Sequence, residues 1–129
     1  MAIAKSYQVS GQYDLAIANY KTVVAINKSA LAAEARYEIA NSWFAVDHFS
    51  DAEKAAFETI NKSGSYDYWV TKSYILLGDI YFKEKDYFNA KATFQSIVDN
   101  TINAEFKNEA QTKLNRVIEE EGKSSKVNN

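Results

Sequence analysis

Residues 74–94 read YILLGDIYFKEKDYFNAKATF, and this stretch decides the fold. Leu77 and Tyr81 are four residues apart, as are Ala90 and Phe94, so each pair lies on one face of an α-helix. The run Lys-Glu-Lys-Asp between the pairs is polar and is typical of a turn. The chain has no Pro and 4 Gly, which favours continuous helices. The stretch therefore predicts two helices joined by a tight turn.

Equivalent residues occur at five positions in three copies, offset by 36 and then 38 residues. The sets are Ile3, Ile39 and Leu77; Ala4, Ala40 and Gly78; Tyr7, Trp43 and Tyr81; Tyr13, Phe49 and Tyr87; and Ala16, Ala52 and Ala90. A repeat of this length, built from small and aromatic residues, indicates stacked copies of one supersecondary unit. We expect the small residues to let helices approach closely and the aromatic rings to fill the gaps between them.

Two helix starts keep the same register. Ser29 and Asp67 are 38 residues apart, and both are residue types whose side chains cap helix N-termini. The helix after Ser29 is expected to run to near Val46.

The third copy resembles the tetratricopeptide repeat, whose signature is W-x2-L-G-x2-Y followed by A-x3-F and a terminal Pro. It reads Y-x2-L-G-x2-Y from residue 74 and A-x3-F from residue 90. The second copy departs from the signature at Ala40, Trp43 and Ala56, where the family has Gly, Tyr and Phe. No copy ends in Pro, and the spacing exceeds the family period of about 34.

The resemblance implies an all-α, right-handed superhelical α-solenoid of seven helices in antiparallel pairs. The expected organisation is a partial first repeat at 1–28, a second repeat at 29–64, a third at 65–104, a C-terminal capping helix at 105–121 and a disordered tail at 122–129. We also expect the chain to be part of a longer repeat array. Its first repeat would then expose Ile3, Val9 and Leu15, and the chain would self-associate through this N-terminal unit.

Composition argues against several classes of function. The net charge of −2 does not favour nucleic acid, which attracts basic surfaces. With no Cys and His48 as the single His, there is no zinc-binding set, and no Gly-rich loop could hold phosphate. No run of about 18 apolar residues predicts a membrane span. We therefore expect a protein that is not an enzyme, with no catalytic residue, no metal and no cofactor, and we interpret His48 as a turn residue.

In the tetratricopeptide family, the first helix of each repeat lines a concave groove. Transferred to this chain by offset, that groove would bind a peptide or partner segment through polar, charged and aromatic side chains. They are Lys5, Glu34, Tyr37, Glu38, Asn41, Phe44, Lys72, Ile75, Asp79, Phe82 and Lys83. Because Asn41 and Asp79 hold equivalent positions, as do Phe44 and Phe82, we expect them to pair with a peptide backbone and hold its side chains.

The sequence thus predicts a non-catalytic protein–protein interaction scaffold of unknown partner. The alternatives are a mainly structural C-terminal cap of a larger array, or an accessory domain of an envelope assembly or secretion complex. The stretch from Asn27 to Ala40, with its Ser followed by an Ala-rich helix, is similar to bacterial cell-envelope members of the family. This similarity favours the bacterial envelope or periplasm over the cytoplasm, although any targeting signal would lie upstream.

Overall fold

The computed structural model describes residues 1–26 and 29–128. Within them the chain forms seven α-helices and no strand, which confirms the all-α prediction. The helices are α1 (Ala2–Val9), α2 (Tyr13–Ile26), α3 (Ala30–Ala45), α4 (Phe49–Lys62), α5 (Asp67–Lys83), α6 (Tyr87–Asn100) and α7 (Ala104–Asn128). Residues 27, 28 and 129, which the predicted repeats and tail include, lie outside the described residues.

The chain divides into two compact units, and the division falls within α5. Unit 1 spans Met1–Ser73 and holds α1 to α4 with the first turns of α5. Unit 2 begins at Tyr74 and holds the rest of α5 with α6 and α7. Helices adjacent in sequence pack together, α1 on α2, α2 on α3, α3 on α4, and α6 on α7. The hand of the superhelix and the repeat boundaries stay predictions.

Each turn between the first and second helix of a repeat has a residue with left-handed backbone conformation at the equivalent position. Gly11 has φ +81°, while Asp47 and Lys85 both have φ +61°. These positions are offset by 36 and 38 residues, the same as the repeat. The amide following each one donates to the carbonyl of the equivalent aromatic residue, at 2.8 Å to Tyr7, 3.0 Å to Trp43 and 2.8 Å to Tyr81. This is the Schellman pattern, which closes a helix C-terminus over its last carbonyls.

The predicted small residues form the core of the helix pairs. Ala16, Ala52 and Ala90 are fully buried, as is Ala40. The equivalent aromatics Tyr7, Trp43 and Tyr81 are half-buried. Tyr7 packs on the core cluster of unit 1 and Tyr81 on that of unit 2, as expected of packing residues.

Gly78 shows why a small residue is needed at its position. A Cβ added there would lie 2.4 Å from the ring of Phe94, which is itself buried. In the second repeat the equivalent pair is Ala40 and Ala56, both fully buried. A methyl group at 40 is compatible with a methyl group at 56, although at Gly78 it would collide with a phenyl ring. The first repeat differs again, with Ala4 and the large Tyr20 at the equivalent positions, both buried.

Helix ends match the predictions at one site and differ at two. Ser29 caps α3, accepting the Leu31 backbone N–H at 3.3 Å, and the helix ends at Ala45 as expected. Asp67 is the first residue of α5 and not its N-cap, so its carboxylate acts on the helix dipole from the first turn. The capping helix α7 does not end at 121. It continues to Asn128, where the prediction placed a disordered tail.

The extension of α7 has a local cause in its charge pattern. Lys123 lies 3.4 Å from carboxylate oxygens of both Glu119 and Glu120, pairs at spacings of four and three residues that support a helix. These pairs bridge Gly122, the first residue of the predicted disordered tail.

The first repeat exposes the apolar side chains expected on its outer face. Ile3 is 65% exposed, Val9 90% and Leu15 45%. Self-association through this unit stays a prediction.

Two glycine substitutions should change stability in opposite directions. Gly11→Ala should lower the free energy of unfolding by about 1 kcal/mol, because Ala is strained at positive φ. Gly122→Ala should raise it by about 1 kcal/mol, because Gly122 is inside α7 and a Cβ there would meet nothing within 4 Å. Urea denaturation measures both. A Gly122→Ala variant no more stable than the wild type would show that α7 ends before residue 122.

Candidate functional site

The predicted groove residues fall on α1, α3 and α5, the first helices of the repeats, and divide between the two units. Unit 1 holds Lys5, Glu34, Tyr37, Glu38, Asn41, Phe44 and Lys72, and unit 2 holds Ile75, Asp79, Phe82 and Lys83. Each unit is therefore described as a surface of its own.

In unit 1, side-chain contacts join the three first helices into one surface. Lys5 Nζ on α1 lies 2.8 Å from Glu34 Oε2 on α3, and the pair raises the pKa of Lys5. The Gln8 Nε2 of α1 donates to Ser42 Oγ of α3 at 3.4 Å. The Tyr37 ring of α3 lies 5.7 Å from the Trp69 ring of α5. These contacts bring together residues that are distant in sequence, as the repeat register predicts.

Glu38 lies at the centre of this surface in a polar network. Burial raises its pKa, while a hydrogen bond from Gln8 and the charge of Lys72 oppose the rise. Tyr20 Oη, fully buried, donates to Gln8 Oε1 at 2.6 Å. Burial also raises the pKa of Tyr20, as does the nearby Glu38 carboxylate. Within the described residues Glu38 has no cation at ion-pair distance, so the charges of Lys72 and Lys5 act on it from beyond that distance.

Three aromatic rings surround the ammonium group of Lys72. Its Nζ lies 5.1 Å from the ring centroid of Tyr37 and 5.5 Å from those of Tyr68 and Trp69. A cation this close to a ring face is attracted by the negative potential of the π-system. We call Tyr37, Tyr68 and Trp69 the aromatic cage.

Asn41 and Phe44 complete the surface of unit 1. Both are half-buried, and the Phe44 ring packs 5.9 Å from that of Phe49. The Asn41 amide forms no hydrogen bond with any residue that the structure describes. A side-chain amide in this state can offer both a donor and an acceptor to a peptide backbone.

Unit 2 builds its surface from α5 and α7. Lys113 Nζ on α7 lies 2.7 and 2.9 Å from the two carboxylate oxygens of Asp79. The guanidinium of Arg116 lies 5.3 Å from the Phe82 ring centroid. A cavity of about 110 Å³ opens between them, lined also by Phe94 and Val117. Burial raises the pKa of Asp79, and Lys113 opposes that rise.

Two of the predicted groove residues in unit 2 are not available to a ligand in the way that the sequence predicted. Ile75 is 5% exposed and packs in the core cluster with Ala90 and Phe94, so its side chain is not offered to a ligand. Asp79 is equivalent to Asn41, but its carboxylate is engaged by Lys113. Lys83 is exposed at the end of α5.

Sequence reasoning missed the contributions of Lys113, Arg116, Tyr68 and Trp69. Lys113 lies 34 residues after Asp79, one family period further along the chain. That spacing was a signal that α7 continues the series of first helices. The aromatic cage is visible in sequence only as aromatics three and four residues before Lys72, which a helix places together.

The described residues contain no group of three or more metal-ligating side chains, and none of the described helices is long and apolar enough to cross a membrane. His48 lies exposed at the start of α4, stacked on Trp43 with ring centroids 5.2 Å apart. Its Nδ1 lies 3.6 Å from Asp51 Oδ2. This placement agrees with the interpretation of His48 as a turn residue.

Glu38→Gln should change how stability depends on pH. The pKa of Glu38 is raised in the folded state above its ordinary value of 4.5, so the folded protein binds the proton more tightly than the unfolded chain. The stabilising effect of protonation is complete below the unfolded pKa and is lost as pH rises through the folded pKa. The wild type should therefore lose stability relative to Glu38→Gln over that range. Urea midpoints from pH 4 to pH 7 measure it, and parallel curves for the two proteins would contradict it.

Comparison with known proteins agrees with this geometry. Residues 71–99 match the tetratricopeptide repeat family. The comparison with curated proteins found no match. The matched residues cover most of α5 and nearly all of α6, including Gly78 and the Phe94 ring that packs on it. The chain is therefore an all-α helical-repeat protein whose residues 71–99 match the tetratricopeptide repeat.

Proposed function

We propose that this protein is a non-catalytic scaffold that binds an extended segment of a partner protein on the surface that α1, α3 and the start of α5 form in unit 1. Tetratricopeptide repeats are in general interaction scaffolds without catalytic activity, which supports a role in protein–protein interaction. The observation that carries the proposal is the surface of unit 1. There α1, α3 and the start of α5 join charged, amide and aromatic side chains into one continuous face.

The chemistry of this face suits a peptide backbone with side chains on alternate sides. Asn41 offers a donor and an acceptor to the backbone, and Phe44 offers an apolar ring beside it. In unit 2 the cavity beside Phe82 has the volume of a small side chain, and Arg116 and Lys113 are among the residues that line it. Aromatic and arginine residues are the types that contribute most to binding energy in protein interfaces.

A structural role as a C-terminal cap is the second candidate, and α7 favours it. Phe106, Ala110, Leu114 and Val117 are buried along one face, while the exposed faces carry charged residues. A terminal helix with one apolar and one polar face closes a solenoid. Location in the bacterial envelope, and a role in envelope assembly or secretion, stay predictions.

Photo-crosslinking tests the binding surface. Benzoylphenylalanine replaces Phe44 or Phe82 on the first helices in one pair of variants, and Phe57 or Phe88 in a matched pair. Phe57 and Phe88 are exposed on the second helices α4 and α6. In the native cells we expect a discrete partner adduct from positions 44 and 82 and none from 57 and 88. Asn41→Ala should reduce the adduct at 44, while Asn61→Ala on α4 should not. Adducts from the second helices alone would contradict the proposal.

A further inference from the structure

The aromatic cage has the geometry of a site for an organic cation, although a side chain of the same chain fills it. The centroid of the Trp69 ring lies 5.7 Å from that of Tyr37, with 39° between the ring planes, and 4.8 Å from that of Tyr68, with 83° between the planes. The three rings therefore face Lys72 from different directions. Tyr68 is 50% exposed, and Tyr37 and Trp69 are half-buried. An external cation can therefore reach the rings that Lys72 now contacts.

Lys72 is held at this position by ring contacts rather than by an ion pair. In the described part of the chain, no carboxylate lies within 4.0 Å of its ammonium group. Lys72 is also on the same helix as Tyr68 and Trp69, four and three residues later, so its long side chain reaches their rings by local geometry alone. Its flexible stem allows the ammonium to move without a change in the backbone.

A second position for that ammonium is available at Glu38. Glu34 is already paired with Lys5 at 2.8 Å, but Glu38 has no ion-pair partner among the described residues. Lys72 is close enough for its charge to act on the Glu38 carboxylate. A half-buried carboxylate with no cation in direct contact gains from one. Movement of Lys72 from the rings to Glu38 would therefore replace one favourable contact with another.

We propose that the aromatic cage binds an arginine side chain of the partner segment. The arginine displaces the ammonium group of Lys72, which then pairs with Glu38. Arginine suits the cage because its planar guanidinium stacks on aromatic faces and is weakly hydrated. The identity of the partner rests on the proposed function, whereas the cage itself can be tested with a small molecule.

The test is an NMR titration of the full chain with Nα-acetyl-arginine amide, using Nα-acetyl-citrulline amide as the uncharged match. The chain has two tryptophans. Trp69 reports on the cage, while Trp43, stacked on His48, serves as the internal control. The Trp69 indole signal should shift to saturation with the arginine compound and not with citrulline, and the Trp43 signal should stay in place. A Trp69 signal that does not move, or that moves equally with both compounds, overturns the proposal.

Three variants test the exchange. Lys72→Met removes the competing ammonium and keeps the apolar stem, so it should bind arginine at least as tightly as the wild type and at most roughly threefold more tightly, because the pair with Glu38 offsets part of the lost cation–π contact. Lys113→Met, the same change in unit 2, should leave binding unchanged. Glu38→Gln should weaken binding in the wild type and weaken it less in the Lys72→Met background. Equal weakening in both backgrounds, or weaker binding by Lys72→Met, overturns the exchange. If the arginine compound binds but the photo-crosslinking experiment yields no partner adduct, the cage is confirmed as a cation site and the proposed function is refuted.

Discussion

The close approach of paired helices at Gly78 is the constraint on which the structure depends. The Phe94 ring fills the space that any side chain at 78 would need. The pair limits how closely α5 and α6 approach, because a side chain added at 78 needs space that the ring already fills. The equivalent positions hold Ala40 and Ala56 in the second repeat and Ala4 and Tyr20 in the first, all of them buried. The residue types at these positions therefore differ among the repeats, and the smallest one is required where the ring of Phe94 packs.

Both helices of each pair contribute small and aromatic residues to the packing. The first helices of unit 1 also carry the polar and aromatic groups that a partner would contact. In unit 1 those groups are largely occupied by each other, as Lys5 with Glu34 and Lys72 with the aromatic cage. A partner would therefore bind by exchanging contacts that already exist. Lys5 and Lys72 therefore keep favourable contacts when no partner is bound.

Much of the fold could be predicted because it depends on periodic spacing. Seven helices, the Ser29 cap and the buried alanines all follow from offsets in the sequence. The site could be predicted only in part, because offset places a residue on a helix face but not against its neighbours. Ile75 is buried by the way α6 and α7 pack, and Asp79 is engaged by Lys113. Both outcomes depend on contacts between residues far apart in the chain.

The measurement that tests this account most directly is a double-mutant cycle at Gly78 and Phe94. Gly78→Ala alone should destabilise the protein by about 1–3 kcal/mol through overpacking. In the Phe94→Leu background the same change should cost much less, because the smaller side chain leaves room for the methyl group. Gly64→Ala, where a Cβ would meet only a carbonyl oxygen 3.9 Å away, is the control that should show no such coupling. Equal costs of Gly78→Ala in the two backgrounds would show that the ring of Phe94 does not limit the approach of the helices.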